Sequence, residues 1–369
     1  MRSVAIIGSR GYPSYYGGFE TAVRHIAPYL CGNGWDVTVY GRGGQTRDDD
    51  PSRDPRVRGV AVPGLDSKSL STLSHGLTSA VCAAWLKPDV ALVLNVANGF
   101  FLPLLAARGV PTLVNVDGIE WERAKWGRSA RLVFFEGAKM VARHADELIV
   151  DSREVGRKWK AGFGRSGLFI PYGGDPREPL AVEPGLESGR YALLVARFVP
   201  ENTVREFFDA AAQLARDWTV VLVGSSGYGG QLDSQAEALS RENPNVRWLG
   251  HVNDDDRLHS LWQHAGAYFH GHSVGGTNPA LVQAMALGAP TVARDTPYNR
   301  EVLDDAGVYV QPDPAAIAAR MGELLADAGR RAELSSAARK RAADYYSWDD
   351  VGAAYESALT DLATGGPWL

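Results

Sequence analysis

A short segment in the second half of the chain combines residue types that favour an anion at the start of a helix. Residues 275–278 read Gly-Gly-Thr-Asn, Pro279 follows, and apolar residues at helical spacing continue to Gly288. Asparagine is a preferred N-cap residue, proline is preferred at the first helical position, and glycine commonly ends a helix. Glycines before the cap leave the N–H groups of the helix end accessible, and their partial positive charge attracts phosphate. An ordinary capped helix without a ligand is the structural alternative.

Arg197 is a second candidate for binding an anion. It directly follows the strand-like residues 191–196, so we expect it at the carboxyl end of a strand. A guanidinium group offers a planar fork of donors that stays charged when water is excluded, and this geometry suits a diphosphate. The structural alternative is a surface ion pair with Glu201 or Glu206, which would contribute little stability.

A glycine-rich loop follows the first strand-like run and ends with Gly17 and Gly18. Helical periodicity resumes at Ala22 and continues through Leu30, so the loop opens a helix. Without Cβ atoms, these glycines let a ligand approach the backbone. The spacing is not Gly-x-Gly-x-x-Gly, which argues against a nicotinamide oxidoreductase. A turn that serves only the backbone geometry is the alternative.

Three side chains in the first half could orient a hydroxyl group or transfer a proton. Asp117 and Asp151 each follow a strand-like run, and Tyr172 lies beside a segment rich in proline and glycine. All three could face a cleft at the carboxyl ends of parallel strands.

Aromatic and charged residues alternate over residues 117–126, a segment that includes Glu120 and Trp121. Such interleaving occurs on sugar-recognising surfaces. Packing of the tryptophans in the domain interior is the alternative, and for a single tryptophan it is the favoured one.

Metal-ligand patterns are weak in this sequence. His270 and His272 alternate on a strand-like run, but no further ligands lie nearby in the sequence, so hydrogen-bonding or core roles are favoured. The three aspartates at 254–256 precede a helical pattern and suit capping of its start. We predict no metal and no other cofactor.

Strand-like and helical segments alternate along the chain in two series. The apolar runs have strand length and no polar face, which is typical of parallel strands covered by helices on both sides. They comprise residues 4–7, 37–40, 90–94, 112–116 and 148–150, and then 192–195, 220–223, 246–249, 267–269, 291–293 and 308–310. This pattern predicts an α/β fold with two Rossmann-like, doubly wound parallel-sheet domains that face each other across a cleft.

The domain boundaries follow from length and composition. A chain of 369 residues exceeds one ordinary domain. The segment 171–176 is rich in proline and glycine and suits a hinge. We predict one domain over residues 1–175, a second over 176–347, and a C-terminal helix over 348–369 that packs back across the junction.

Charge and composition restrict the partners and the compartment. The chain has 38 Lys and Arg against 43 Asp and Glu, so its net charge of -5 provides no general field for nucleic acid. Its two cysteines cannot build a disulfide framework, and the strand-like run at Val4 leaves no room for an export signal. Asn95, Asn98 and Pro103 interrupt the most apolar stretch, which disfavours a membrane-spanning helix. We expect a cytoplasmic protein.

Several segments, taken in order, resemble bacterial GT-B glycosyltransferases of family 4, and most closely their rhamnosyltransferase-like branch. The resemblance covers nearly the whole chain and rests on residues 17–21, 117–121, 151–152, 170–173, 196–202, 271–285 and 298–301. It implies two Rossmann-like domains, an acceptor held mainly by the first, a nucleotide-diphosphate sugar held mainly by the second, and no catalytic metal.

The resemblance also implies roles for particular residues. Arg197 matches the family's diphosphate-binding arginine, and Gly17 and Gly18 match its phosphate-side loop. The other predicted donor-binding residues are Asn202, the base-contacting Gly250, His251 and Val252, the phosphate-side Gly276, Thr277 and Asn278, and Gln283. We predict Asp117, Asp151, Tyr172 and Arg197 as catalytic residues and Glu120 and Trp121 as acceptor-binding residues.

Three positions depart from the family pattern. Two glutamates eight positions apart are usual around the phosphate-binding helix, and here those positions hold Gly275 and Gln283. The second glutamate normally binds ribose hydroxyls, and a glutamine can still donate and accept hydrogen bonds there. A lysine common five residues after the arginine is Asn202, and Arg300 is a cation that could compensate.

The expected reaction is a transfer that retains the anomeric configuration, as in similar enzymes. The acceptor attacks the face that the diphosphate leaves, and the leaving phosphate takes the acceptor's proton. The branch suggests a deoxythymidine-diphosphate 6-deoxysugar such as L-rhamnose as donor. The acceptor alternatives are a glycan, a lipid-linked glycan, which would bring the first domain to the inner face of the membrane, and a small molecule.

Two other functions remain open from the sequence. The replacement of acidic residues at Gly275 and Gln283 would fit a non-catalytic sugar-nucleotide-binding GT-B protein. A sugar-nucleotide epimerase shares the architecture but needs an acid and a base at the sugar ring.

Overall fold

The computed structural model describes residues 1–15, 17–44, 49–65, 71–123, 126–227 and 229–365. The chain divides into two units. The first comprises Met1–Tyr172 together with the C-terminal segment from Trp348, and the second comprises Gly173–Ser347.

The first unit contains a seven-stranded sheet in which all paired strands are parallel. Its strands are β1 (Ser3–Ile7), β2 (Asp36–Arg42), β3 (Arg58–Val62), β4 (Val90–Leu94), β5 (Thr112–Asn115), β6 (Glu147–Val150) and β7 (Leu168–Phe169). The strand order is β3-β2-β1-β4-β5-β6-β7. Every residue of β4 is buried, as expected for an apolar central strand with helices on both faces.

The second unit contains a six-stranded parallel sheet. Its strands are β8 (Tyr191–Val195), β9 (Thr219–Val223), β10 (Val246–Trp248), β11 (Ala267–His270), β12 (Thr291–Arg294) and β13 (Gly307–Val310). The order is β10-β9-β8-β11-β12-β13, so β8 lies directly beside β11. The predicted pair of Rossmann-like parallel-sheet domains is confirmed.

Helices connect the strands and cover the sheets. They are α1 (Gly18–Gly32), α2 (Ser71–Leu86), α3 (Leu102–Ala106), α4 (Arg128–His144), α5 (Arg153–Phe163), α6 (Val204–Leu214), α7 (Gln231–Glu242), α8 (Asp255–Gln263), α9 (Pro279–Ala286), α10 (Pro297–Leu303), α11 (Pro314–Ala326), α12 (Ala328–Tyr345) and α13 (Trp348–Thr364). Short 3₁₀ turns lie at Val96–Phe101, Glu120–Glu122, Pro200–Asn202 and Asp304–Ala306. Asp254 caps α8 by accepting a hydrogen bond from the N–H of Arg257, as the sequence predicted.

The C-terminal helix α13 packs within the first unit, where it contacts α1. Trp348 stacks on His25 with ring centroids 4.1 Å apart, and the Tyr355 hydroxyl accepts a hydrogen bond from Asn115 Nδ2 at 2.8 Å. Trp348, Tyr355 and Leu359 are buried in the apolar core of this unit. The last four residues of the predicted segment 348–369 lie outside the described residues. The described part of α13 is therefore an integral helix of the first unit.

One face of α2 exposes large apolar side chains. Leu77, Val81 and Trp85 follow one another at intervals of four residues, and Trp85 is 79% exposed. The helix has no Asp, Glu, Lys or Arg in its 16 residues. We call these three residues the α2 apolar face. None of the described helices has the length and apolar character needed to cross a membrane.

Candidate active site

Arg197 occupies the loop after β8, as the sequence predicted. Its side chain is exposed, and within the described part of the chain the guanidinium forms neither an ion pair nor a hydrogen bond. The alternative ion pairs with Glu201 and Glu206 are therefore not formed. The Arg197 guanidinium therefore lies at the carboxyl end of a central parallel strand, where it can bind an anion.

Hydrogen bonds join the Arg197 loop to the loop that follows β11. Asn202 donates from Nδ2 to the Arg197 carbonyl at 2.9 Å, and its Oδ1 lies 2.7 Å from His272 Nδ1. The Thr203 hydroxyl donates to the Gly271 carbonyl at 2.6 Å. Both polar atoms of Asn202 thus have protein partners, and the two loops form one connected edge of the sheet.

The helix start predicted at Asn278 is confirmed. Asn278 Oδ1 accepts a hydrogen bond from the Ala280 N–H at 2.9 Å, and Pro279 occupies the first helical position of α9. Gly275 has a φ of 117°, a conformation that favours glycine. Thr277 is buried beside Gly276. The N-terminus of α9 therefore lies in the loop that Asn202 connects to Arg197.

The predicted base-contacting loop follows β10 in the same unit. Gly250 adopts a left-handed φ of 65°, and its carbonyl accepts a hydrogen bond from the Gly224 N–H at 2.7 Å. A Cβ atom on Gly224 would lie 1.8 Å from the Ala196 carbonyl oxygen. His251 is exposed and Val252 is buried. The loops after β8, β9 and β10 consequently approach one another, and His251 and Arg197 are among their exposed side chains.

In the first unit, the three predicted catalytic side chains are electrostatically connected. Burial raises the pKa of Tyr172 well above its ordinary value, and the negative charges of Asp117 and Asp151 raise it further. Asp151 is 2% exposed, and Asp117 adopts a left-handed φ of 59°. Tyr172 is therefore a hydrogen-bond donor at neutral pH, and Glu20 also contributes to its raised pKa.

Gly17 lies at the start of α1, in the predicted glycine loop. Among the described atoms, a Cβ atom at Gly17 would meet only Glu20 Oε2, at 3.4 Å, so packing does not require a glycine there. By contrast, a Cβ atom at Gly41 would lie 2.4 Å from the Gly11 Cα. Gly18 is the first helical residue. Among the described atoms the backbone at Gly17 has open space beside it, and binding of a ligand there stays a prediction.

Two family models match the chain. "Glycosyl transferase 4-like domain" matches residues 17–173, and "Glycosyl transferases group 1" matches residues 178–341. Together they cover most of both units. The chain belongs to the GT-B glycosyltransferases of family 4.

Curated relatives of this glycosyltransferase include several mannosyltransferases. O-antigen chain mannosyltransferase B of Escherichia coli is 26% identical over 47% of this chain and 48% of its own length. MMP alpha-(1->4)-mannosyltransferase of Mycolicibacterium hassiacum is 26% identical over 98% of this chain and 99% of its own length. The alignments with the first relatives span about half of those proteins, 48% and 56% in two cases.

Solved structures share the fold of this glycosyltransferase. Sucrose-phosphate synthase from Thermosynechococcus elongatus has a TM-score of 0.80 at 18% identity and covers 99% of this chain and 100% of its own. Anabaena HepE in complex with UDP-glucose has a TM-score of 0.74 at 15% identity and covers 98% and 100%.

The predicted acceptor-binding residues of the glycosyltransferase have internal partners. Glu120 forms an ion pair with Arg123 at 2.5 Å and accepts a hydrogen bond from Trp126 Nε1 at 2.7 Å. The Trp121 ring meets Phe135, Trp159 and Phe163 edge-on, with centroids 5.8 to 6.2 Å apart. These contacts are those of the packing alternative, and binding of an acceptor by either residue stays a prediction.

Gln283 uses its side-chain amide inside the second unit. Its Oε1 accepts from the Asp175 N–H at 3.0 Å, and its Nε2 donates to the Asp175 carbonyl at 2.8 Å. One lone pair on Oε1 and one hydrogen on Nε2 remain for a ribose, so the predicted donor contact stays a prediction. Arg300 forms a bidentate ion pair with Asp295, at 2.6 and 2.9 Å, and does not supply a free cation in place of the lysine.

Two buried polar side chains of the second unit were not predicted as site residues. Both carboxylate oxygens of Glu201 and the Nε2 of His270 are buried without a hydrogen-bond partner in the described part of the protein. Burial lowers the pKa of His270 to about 3, so its imidazole is neutral, and Nδ1 lies 3.0 Å from the Tyr268 hydroxyl. The only signal for His270 in the sequence is its place in a strand-like run, which correctly favoured a core role.

Proposed function

We propose that this glycosyltransferase moves a sugar from a nucleotide-diphosphate donor to a hydroxyl group of its acceptor, with retention of the anomeric configuration. The observation that carries the proposal is the guanidinium of Arg197, which has no partner among the described residues and lies in a loop hydrogen-bonded to the loop of the α9 N-terminus. A leaving diphosphate needs such fixed positive groups, because negative charge accumulates on it as the anomeric bond breaks.

The proposed mechanism assigns charge stabilisation to the second unit. The bond from the anomeric carbon to the donor oxygen stretches toward an oxocarbenium-like state, while Arg197 and the N-terminus at Asn278 stabilise the departing diphosphate. The acceptor hydroxyl attacks the same face and transfers its proton to the leaving phosphate. Because the protein's own cationic groups stabilise the leaving group, we propose that transfer proceeds without a metal.

The first unit is proposed to orient the acceptor and the sugar. Tyr172 remains protonated and donates a hydrogen bond, whereas Asp117 and Asp151 accept hydrogen bonds from hydroxyl groups. Glu120 and Trp121 are proposed to complete this site, and Gly17 and Gly18 to admit the phosphate side of the donor.

Binding of the nucleotide is proposed for loops of the second unit. Gly250, His251 and Val252 contact the base, Gln283 the ribose, and Gly276 with Thr277 the phosphates. Asn202 supports the Arg197 loop, since its side chain bonds to the Arg197 carbonyl.

Thermal unfolding in the presence of nucleotide sugars tests the donor class. We expect one of UDP-glucose, GDP-mannose and deoxythymidine-diphosphate L-rhamnose to raise Tm, because a ligand at about a hundredfold its Kd stabilises the native state by about 2.7 kcal/mol. L-rhamnose is our proposed sugar, and the names of the relatives make mannose and glucose the first comparisons. Arg197→Ala should reduce the shift. Equal Tm values with and without all three donors would contradict a donor site for these nucleotides.

Product analysis separates transfer from the two other functions. The non-catalytic alternative is motivated by Gly275 and Gln283 at positions where the family usually has glutamates. A protein of that kind would bind a donor without releasing nucleoside diphosphate in the presence of any acceptor. An epimerase would convert the donor without an acceptor.

The α2 apolar face supports a lipid-linked acceptor. Trp85, Val81 and Leu77 are exposed on a helix without charged residues, and exposed Lys87 and Arg108 lie at its C-terminal end, where Arg108 Nε donates to the Ala84 carbonyl. Tryptophan favours the membrane interface, and flanking cations favour anionic lipid headgroups. We propose that this face contacts an anionic bilayer and brings the first unit to the inner membrane surface.

Vesicle flotation tests the membrane contact. Trp85→Glu should lower binding to phosphatidylcholine–phosphatidylglycerol vesicles by about tenfold, because about 1.4 kcal/mol of lost apolar burial corresponds to that factor. Tyr345→Glu is the matched control, since Tyr345 is an exposed aromatic residue of the second unit. Vesicle binding that is absent in the wild type, or equal in both variants, would remove the membrane from the proposal.

A further inference from the structure

The first residues of the second unit lie against α9, the helix whose N-terminus is proposed to receive the diphosphate. The chain enters the second unit at Gly173 and leaves it after Ser347. The Gly174 N–H donates to the Tyr346 carbonyl at 2.8 Å, so the entering and leaving segments are hydrogen-bonded to each other. Both segments belong to the second unit, so this bond holds its first and last residues together.

Gly174 allows the entering segment to approach α9 closely. A Cβ atom at this position would lie 2.8 Å from the Val282 carbonyl oxygen and 3.1 Å from the Ala286 Cβ. Real Cβ atoms do not approach a backbone oxygen at that distance without displacing it. The backbone at Gly174 therefore rests directly on the helix.

Gln283 adds two hydrogen bonds at the next residue. Its Oε1 accepts from the Asp175 N–H and its Nε2 donates to the Asp175 carbonyl, at 3.0 and 2.8 Å. Gln283 and Asp175 are 108 residues apart in sequence. Only a side chain with an acceptor and a donor on the same terminal group can make both bonds. An ionised glutamate offers acceptors alone and would oppose the Asp175 carbonyl oxygen.

We propose that Gln283 is a positioning residue, whose amide clamps the start of the second unit to α9. The clamp fixes α9, whose N-terminus is proposed to bind the diphosphate, to the first residues of the second unit. Its effect on turnover rests on the proposed function, whereas its effect on the backbone does not. The clamp gives Gln283 a role at a position where the resemblance to family 4 implies a ribose-binding glutamate.

Amide hydrogen exchange tests the clamp without any ligand. In Gln283→Leu, the Asp175 N–H loses its acceptor, and we expect the peptide that contains Gly174 and Asp175 to exchange about tenfold faster, as the loss of one hydrogen bond predicts. Gln283→Glu retains an acceptor for that N–H, so its exchange should stay close to wild type. Unchanged exchange in Gln283→Leu would overturn the clamp, whether or not the protein proves to be a glycosyltransferase.

The pH dependence of Gln283→Glu tests the donor half of the clamp. A protonated carboxyl group can accept from the Asp175 N–H and donate to the Asp175 carbonyl, as the amide does. The pKa of a glutamate is ordinarily about 4.3, and an opposing carbonyl in a partly buried site raises it. The bond to the Asp175 carbonyl should therefore be restored as the pH falls and be absent at pH values well above that pKa, whereas the bond from the Asp175 N–H is kept throughout.

The readout is the ratio of variant to wild-type kcat with whichever of the three nucleotide sugars the wild type uses. For Gln283→Glu we expect this ratio to rise as the pH falls from about 8 toward the raised pKa, by up to about fivefold, with KM for the donor unimproved, because a hydrogen bond contributes about 1 kcal/mol. For Gln283→Leu the ratio should be low and independent of pH. The neighbouring charges, the Asp175 carboxylate and Arg339, which donates to the Leu287 carbonyl at the end of α9, are present in all three proteins. Their titration therefore cancels in the comparison.

The opposite kinetic result would overturn the proposal. If Gln283 served only as a ribose ligand, the ionised glutamate would bind the hydroxyls more strongly, and Gln283→Glu would show a lower donor KM and full kcat at high pH. Absence of turnover in the wild type would contradict the proposed function, and the exchange measurement would still decide the clamp.

Discussion

Arg197→Ala is expected to lower kcat by about a hundredfold or more, because removing one fixed donor to a developing negative charge typically costs a factor of about 10² to 10³. The guanidinium is free of ion pairs and hydrogen bonds in the described part of the protein, so its removal breaks no polar contact among those residues. The expected loss is therefore chemical and not structural. Steady-state kinetics with the identified donor and acceptor measure it.

Two further variants test whether the loss of kcat is specific to the guanidinium of Arg197. Arg205→Ala removes another exposed arginine eight residues along the chain, on α6, and should leave kcat unchanged. Arg197→Lys keeps the charge but loses the planar fork, so its kcat should lie between wild type and alanine. Transfer by Arg197→Ala within about threefold of wild type would remove the electrostatic role, since the proposed role predicts a loss at least ten times larger.

The central parts of both sheets were predictable from sequence because they follow from local apolar runs. Residues 90–94 contain no polar side chain, and the structure buries all five in β4. The edge strands β3 and β7 were not predicted. Most of β3 is exposed or half-buried, and β7 has only two residues, so neither carries a buried strand's pattern.

The helix start at Asn278 was predictable because capping depends on neighbouring residues. The N-cap hydrogen bond spans two positions, and the proline lies next to it. Contacts between distant residues left no such local signal. The bonds from Gln283 to Asp175 and from Asn202 to His272 span 108 and 70 positions, and they depend on which loops the sheet order brings together.

Arg300 shows that the sequence also does not predict which charged side chains form ion pairs. The sequence offers it as a replacement cation, yet its guanidinium is committed to Asp295, five residues away. A count of arginines does not reveal which one is free. In the described residues, Arg197 has no such partner, and this distinguishes it from Arg300.

Asp117→Asn is the second substitution with a large expected effect, and we expect it to lower kcat by about a hundredfold. This factor is the lower part of the range for a group that orients or transfers a proton. Asp117 adopts a left-handed φ of 59°, and its N–H donates to Asn115 Oδ1 at 2.9 Å. Asparagine tolerates this backbone conformation and keeps the side-chain shape, so the variant removes the negative charge with little strain. An alanine substitution at Asp117 would combine loss of the charge with destabilisation of the backbone, so a fall in kcat would not report the charge alone.

The charge of Asp117 also acts on Tyr172. Burial is the main cause of the raised pKa of Tyr172, and Asp117 adds to it, so Asp117→Asn lowers that pKa without bringing the phenol to ionisation near neutrality. Tyr172 consequently stays a donor in the variant, and the fall in kcat reports the lost carboxylate. Asp89→Asn is the matched control, because Asp89 precedes β4 at the amino end of the strand and pairs with Ser3. A kcat of Asp117→Asn within about threefold of that control, at saturating donor and acceptor, would place Asp117 outside the catalytic step, since a group acting there contributes at least about 10².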